Sequence, residues 1–137
     1  MYADYTDRPL TGLDMIDTQH QELIDRINKL VESCDENTSK SVAMKTLDFL
    51  SDFATFHITS EEQLQRELTY PNYEGHKAQH HIFKQTLREL EQLLEEENGL
   101  SGAFTSKVQE QIVEWSYQHI NEFDKPFALY SLKCQSK

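Results

Sequence analysis

Two pairs of residues with metal-ligating side chains lie at helical spacing in the middle of the chain. His57 precedes Glu61 by four residues, and His76 precedes His80 by the same interval. Residues four apart on an α-helix lie one above the other on the same face, so both members of a pair can reach the same metal centre. Pro71 separates the pairs and is expected to end the first of the two helices, after which the chain returns antiparallel. The spacing therefore predicts a metal site between helices of a bundle.

Two more histidines lie on the apolar faces of the flanking helices. His20 is in phase with Leu23 and Ile27, and His119 continues the apolar stripe of the last helix, five residues before Asp124. In a regular α-helix an interval of five leaves two side chains about 140° apart. Shared ligation by His119 and Asp124 would therefore require a locally widened turn, or an aspartate that reaches sideways between two metals.

Each of these residues also has an ordinary structural interpretation. An inward histidine is more often a hydrogen-bonded core residue than a ligand, and pairs at this spacing also arise by coincidence. Five inward histidines and two carboxylates without buried Lys or Arg partners would nevertheless be costly to bury without a metal. His81 lies about 100° around the helix from His80, off the apolar stripe, and is left out. We expect a metal site formed by His20, His57, Glu61, His76, His80, His119 and Asp124.

Four amphipathic helices must position these residues. The chain has only four Gly and three Pro in 137 residues, which favours helix over strand. We predict an all-α fold, an up-and-down antiparallel four-helix bundle that forms a single domain. Its expected parts are an irregular arm over 1–16, helices over about 17–35, 40–68, 73–97 and 101–124, and a tail over 125–137 with a short C-terminal helix. The expected helix caps are Asp17 or Thr18, Ser39 or Ser41, and Ser101.

Composition narrows the classes of partner. A net charge of −11 opposes binding to nucleic acid or to an anionic membrane surface. No apolar run approaches the roughly 20 residues of a membrane span, and the N-terminus lacks a signal pattern, so we expect a cytoplasmic protein. Cys34 and Cys134 form no tight cluster and are expected to be reduced thiols. A chain of this length can bury a core without metal, so a bound metal would serve a function.

Four segments carry the candidate residues and are spread, in order, over nearly the whole chain: IDTQHQEL, FHITSEEQL, YPNYEGHKAQHHIF and WSYQHINEFD. Together they resemble the hemerythrin family, particularly the bacterial hemerythrins. The resemblance implies two iron ions, Fe2+ or Fe3+, joined by a bridging oxide or hydroxide. The implied ligand sets are His76, His80 and His119 on one iron, His20 and His57 on the other, and Glu61 and Asp124 bridging both.

Under this resemblance the expected function is reversible binding of dioxygen. Two octahedral irons offer about twelve coordination positions. Five imidazoles, two bridging carboxylates and the shared oxide or hydroxide leave one of them open. Nitric oxide and small anions such as azide are further candidate ligands. The protein would act as an oxygen or redox sensing domain, including as the N-terminal module of a larger signalling protein with a C-terminal output domain, or as an oxygen carrier.

Two other classes of function stay open at this point. A di-iron enzyme of peroxidase, nitric oxide reductase or ferroxidase type would use the same metals. The Glu-x-x-His pairs of ferritin-like oxidases and the HExxH motif of zincin proteases are both absent from the sequence. We therefore expect a binding protein rather than an enzyme. A metal-free helical interaction module is the third class.

Three positions depart from the common family pattern, and the first is Tyr5, which replaces a common tryptophan of the arm. Ser116 follows the tryptophan, where relatives often have a large apolar residue, and Gln65 stands where many have Met. If Ser116 faces the open iron, the pocket would be roomier and wetter, and ferrous iron would oxidise faster. That property suits a sensor better than a carrier.

Overall fold

The computed structural model describes residues 11–135, so the first ten residues of the predicted arm and the last two of the tail lie outside it. Within this range the chain forms four helices and no strand, which confirms the all-α prediction. The helices are α1 (Asp14–Asp35), α2 (Lys40–Glu67), α3 (Tyr73–Glu96) and α4 (102–135). Consecutive helices pack against each other and α4 also packs against α1, as in an up-and-down bundle. None of the helices described is both long enough and apolar enough to cross a membrane.

Two of the expected caps are confirmed and one is wrong. The Ser39 hydroxyl accepts a hydrogen bond from the backbone of α2, and the Ser101 hydroxyl does the same for α4. Helix α1 begins three residues before Asp17, so neither Asp17 nor Thr18 caps it. The Asp17 carboxylate instead accepts hydrogen bonds from the backbone N–H groups of Thr11 and Gly12, at 2.8 and 3.0 Å. It therefore ties the preceding turn to the first turn of the helix.

The fourth helix is longer and less regular than predicted. It does not end at Asp124 but continues to Gln135, so the expected short terminal helix is the last part of α4. Its α-helical segments are Gly102–Val108, Trp115–His119 and Lys125–Gln135, and the π-helical turns Gln109–Glu114 and Ile120–Asp124 separate them. Pro126 has no N–H to donate to Glu122, and it directly follows the second widened turn without ending the helix.

Two apolar clusters enclose the level of the bundle where the candidate residues lie. The larger cluster fills most of the bundle and includes Leu23 of α1. The smaller one closes the other end with Ile16, Phe127 and Ala128. Along α1, His20 lies between Ile16 and Leu23, and therefore between the two clusters. The candidate site is thus walled by apolar side chains on both sides.

The two cysteines, Cys34 and Cys134, are free thiols.

Candidate metal centre

All seven predicted residues meet inside the bundle. They are buried, and none is more than 7% exposed: His20, His57, Glu61, His76, His80, His119 and Asp124. Each of the four helices contributes at least one of them. His81 is exposed, in agreement with its exclusion.

The seven side chains form two groups that share their carboxylates. One group comprises Glu61, His76, His80, His119 and Asp124, and the other comprises His20, His57, Glu61 and Asp124. Within each group the potential ligand atoms all lie within 4.8 Å of one another. Glu61 and Asp124 belong to both groups, so the arrangement suits two neighbouring cations bridged by two carboxylates.

The imidazole Nε2 atoms point at the carboxylates. Nε2 of His76 lies 2.9 Å from Glu61 Oε1 and 2.9 Å from Asp124 Oδ1. Nε2 of His80 lies 3.0 Å from Glu61 Oε1, and Nε2 of His20 lies 2.9 Å from Asp124 Oδ2. The five residues therefore converge on one small volume at the centre of the bundle.

A widened helical turn brings His119 and Asp124 to the same side of α4. The turn Ile120–Asp124 between them is π-helical, so residues five apart approach the alignment that residues four apart have in an α-helix. As a result, His119 Nε2 lies 3.3 Å from Asp124 Oδ1. Of the two solutions that the five-residue interval left open, the structure has the widened turn.

The hydrogen bonding of the cluster is incomplete in the way expected of a metal site. Several buried polar atoms have no hydrogen-bond partner among residues 11–135: Nδ1 and Nε2 of His20, both carboxylate oxygens of Glu61, Nε2 of His80, Nδ1 of His119 and Oδ1 of Asp124. The short nitrogen–oxygen contacts at these atoms thus lack hydrogen-bond geometry. Unsatisfied buried groups are costly, whereas a cation at the centre would satisfy them. Imidazole and carboxylate are donors that suit iron and other divalent transition metals, so the residues fit such a group.

The ionisation of the cluster reflects the competition between burial and opposite charge. Burial and the neighbouring Asp124 would raise the pKa of Glu61, but the adjacent imidazoles of His76 and His80 outweigh them and lower it to about 2. Burial would lower the pKa of His76, but the carboxylates of Asp124 and Glu61 raise it to about 9. For His57 burial dominates and lowers the pKa to about 4. Both carboxylates of the cluster are thus anionic at neutral pH.

Three polar residues outside the predicted set hold the rings of the cluster. Nδ1–H of His57 donates to Gln19 Oε1 at 2.8 Å, and Nδ1–H of His80 donates to Glu62 Oε2 at 2.8 Å. Glu62 is adjacent to Glu61 in the chain, yet its side chain faces the ring of His80. Each of these partners lies on a helix adjacent to that of its histidine. The sequence signal for these two partners was that each is adjacent in the chain to a candidate ligand: Gln19 to His20, and Glu62 to Glu61.

Gln65 completes this outer set. Its side-chain amide lies 2.7 Å from Nδ1 of His76, and both side chains are fully buried. Gln65 is four residues after Glu61 and so lies on the same face of α2. A glutamine in phase with a buried carboxylate was the sequence signal for its position.

His119 is oriented by stacking rather than by a hydrogen bond at its Nδ1 atom. Its ring lies between Trp115, at a centroid distance of 4.7 Å and an angle of 10°, and Phe123, at 5.3 Å and 12°. Its Nδ1 has no hydrogen-bond partner within the described part of the chain. The two aromatic rings therefore restrict the rotation of this imidazole.

A small cavity of about 30 Å³ borders the cluster. Its lining includes the candidate ligands His20, His57, His80, His119 and Asp124, together with Leu23, Ala54, Ile58, Phe83, Trp115, Ser116 and Ile120. Phe83 and Trp115 supply aromatic rings to this wall. The cavity borders His20 and His57, the two histidines of the group that has fewer protein donors. It offers room for a water molecule or for part of a small ligand.

Comparisons with known proteins agree with this geometry. A family model described as hemerythrin HHE cation binding domain matches residues 11–128. The chain is similar to the bacteriohemerythrin of Stenotrophomonas maltophilia, with 25% identity over 117 residues that cover 85% of this chain and 73% of that protein. It is also similar to the bacteriohemerythrin of Methylococcus capsulatus, with 25% identity over 115 residues that cover 84% of this chain and 85% of that protein.

Two solved structures have a similar fold. The crystal structure of a hemerythrin mutant aligns with a TM-score of 0.72 and 26% identity, over 86% of this chain and 87% of that chain. The crystal structure of a leucine-to-phenylalanine mutant aligns with a TM-score of 0.76 and 24% identity, with the same coverage, which is a likeness of fold.

Proposed function

The chain belongs to the hemerythrin HHE cation-binding family, and from that premise we propose that it is a non-heme di-iron protein that binds dioxygen reversibly. The observation that carries this proposal is the pair of buried donor groups that share both carboxylates. A single cation would not require seven convergent donors, whereas two octahedral cations would use all of them.

The proposed ligand sets follow the two groups of the cluster. His76, His80 and His119 would hold one iron, and His20 and His57 would hold the other. Glu61 and Asp124 belong to both groups and would be shared between them. The second iron has one imidazole fewer, and the cavity lies against both of its histidines. We therefore assign the open position for an exogenous ligand to the His20 and His57 side.

When bound, the two irons supply one electron each and a coordination position for dioxygen. The protein supplies orientation. Gln19, Glu62 and Gln65 hold the rings of three candidate ligand histidines from neighbouring helices. Hydrogen bonds of this kind to the ring nitrogen that does not bind the metal raise the metal affinity of the histidine. The stacked rings of Trp115 and Phe123 orient His119.

The protein also restricts water. Most of the cavity wall that is not part of the ligand cluster is apolar, with Leu23, Ile58 and Phe83 among its residues. A dry wall slows the oxidation of ferrous iron by limiting the access of water and protons. Ser116 interrupts this wall with a hydroxyl, which lowers the protection.

We favour a sensing role over a carrier role for two reasons. The hydroxyl of Ser116 at the cavity favours oxidation of the iron pair over long-lived storage of oxygen. In addition, α4 runs without interruption from His119 and Asp124 to Gln135. A change of ligand geometry at His119 and Asp124 can therefore shift the end of α4, which is the mechanical link that a sensor requires.

The test is metal analysis combined with optical spectroscopy after anaerobic loading with ferrous iron. We expect two irons per chain, bands of a bridged diferric pair in air, bleaching with dithionite, and a new spectrum on exposure of the reduced protein to oxygen. His76→Ala should lose iron, whereas His81→Ala, which changes an exposed histidine of the same helix, should keep both irons. Binding of zinc alone, or of no metal, would contradict the proposal, and rapid steady-state turnover of dioxygen or peroxide would indicate a di-iron enzyme instead.

A further inference from the structure

Ser116 carries a buried hydroxyl that the structure leaves without a partner. The side chain lines the cavity beside the metal cluster and is only 4% exposed. Its Oγ makes no hydrogen bond to any residue in the range 11–135. Among the described residues that line the cavity, it is the only one with a hydroxyl group.

The hydroxyl of Ser116 makes no hydrogen bond to the preceding turn of its own helix either. A serine in a helix usually satisfies its hydroxyl by donating to the carbonyl four residues earlier, which here belongs to Ile112. The π-helical turn Gln109–Glu114 precedes Ser116, and the Ile112 carbonyl accepts from the N–H of Trp115 at the end of that turn. The hydroxyl of Ser116 remains available, and leaving it unsatisfied costs free energy.

The position of the cavity identifies what the hydroxyl can reach. The cavity touches His20 and His57, which would hold the iron to which we assign the open position, and it also touches His80, His119 and Asp124. A ligand bound at that position would extend into the cavity and bring its outer atom towards the wall that contains Ser116. The volume of about 30 Å³ admits only a small group.

We propose that Ser116 determines ligand specificity by donating a hydrogen bond from Oγ–H to the outer atom of a small ligand bound on the His20 and His57 side. The site would thereby favour dioxygen and small anions that carry an acceptor atom at their far end. The inference rests on the proposed iron site. It extends that proposal by assigning a ligand-contacting role to a residue outside the seven metal ligands.

Azide is the probe for the test, because it is a small anion with an acceptor atom at its outer end. Metal analysis first establishes two irons per chain in the wild type, Ser116→Ala and Ser116→Thr. The diferric form of each protein is then titrated with azide, and binding is followed by optical absorption. Hydrogen bonds to charged groups contribute enough that Ser116→Ala should bind azide roughly tenfold more weakly. Ser116→Thr keeps the hydroxyl and should stay within about threefold of the wild type.

Ser131 provides a matched control. It lies on the same helix, is fully buried, and its Oγ also has no partner among the described residues, but it does not line the cavity. Ser131→Ala should therefore leave azide binding unchanged. A second readout is the stretching frequency of bound azide, which should shift between H2O and D2O in the wild type and in Ser116→Thr but not in Ser116→Ala.

The outcomes separate the inference from the proposed iron site. Equal azide affinity and an unchanged isotope response in Ser116→Ala with two irons bound would overturn the role of Ser116 and leave the iron site standing. Loss of iron from Ser116→Ala alone would make the residue structural and would also overturn the inference. A wild-type protein that takes up no iron would overturn the proposed function itself.

Discussion

The side-chain amide of Gln65 on α2 lies 2.7 Å from Nδ1 of His76 on α3, with neither side chain exposed. The amide N–H can donate to Nδ1 only when His76 is neutral and carries its proton on Nε2. When Nε2 of His76 binds a cation, Nδ1 carries the proton and needs an acceptor. A turn of the amide presents Oε1 for this purpose. Gln65 can therefore support His76 in both forms and links the two helices across the site.

Replacing Gln65 should weaken iron binding. Gln65→Met introduces an apolar side chain of similar length and leaves Nδ1–H of His76 without an acceptor, so iron affinity should fall by about 10- to 100-fold. Gln65→Glu keeps an oxygen at the same place and should lose less. Competition with a chelator measures the affinity. Gln63→Met, at an exposed position of the same helix, should have no effect, and equal affinities for all three variants would contradict the role of the amide.

Removing the ring stacked on His119 should loosen that ligand. Trp115→Leu takes away one of the two aromatic faces that orient the imidazole. Because an aromatic pair contributes about 0.5 to 1.5 kcal/mol, iron affinity should fall by about two- to tenfold, while Trp115→Phe should recover most of it. The same chelator competition applies, with Phe56→Leu on the exposed surface as the control. Identical affinities for Trp115→Leu and the wild type would mean that stacking does not orient His119.

The metal-free protein should be most stable near pH 6.5. Burial lowers the pKa of His57 to about 4, so its contribution to stability is complete above about 6.5 and is lost as the pH falls towards 4. For His76 burial is outweighed by Asp124 and Glu61, which raise the pKa to about 9, so its contribution is complete below about 6.5 and is lost as the pH rises towards 9. Glu61, with a pKa lowered to about 2 by His76 and His80 against the effect of burial, adds to the loss in acid.

Urea unfolding of the apoprotein at pH 5, 6.5 and 9 measures this dependence. The free energy of unfolding should be lower at both extremes by about 1 kcal/mol or more. A stability that rises steadily from pH 5 to pH 9 would show that His76 is not held protonated by the carboxylates.

A larger apolar side chain at the cavity should protect ferrous iron. Ser116→Leu replaces the hydroxyl in the wall with apolar atoms and excludes water from the space beside His20 and His57. Oxidation of the reduced protein in air, followed optically, should slow severalfold. An unchanged rate would count against the placement of Ser116 beside the open iron position.

Periodicity and residue chemistry were sufficient to predict the helical fold and the meeting of seven polar residues. On an amphipathic helix, intervals of three and four specify which side chains point inward, and His57, Glu61, His76 and His80 all follow that rule. The family resemblance inferred from the four segments is confirmed by the family match over residues 11–128. The caps at Ser39 and Ser101 were also predictable, because capping depends on residues adjacent in the chain.

Other features were decided only by the tertiary structure. The turn before Asp124 is widened, and α4 continues past it. In this continuation Phe127 and Ala128 are buried against Ile16, a contact that no local sequence pattern indicates. Likewise, Glu62 reaches His80, and Gln65 reaches His76, from a neighbouring helix. Such contacts depend on the rotation and axial offset of one helix relative to another. Spacing along a single helix determines which face is buried, but the packing between helices determines what that face meets.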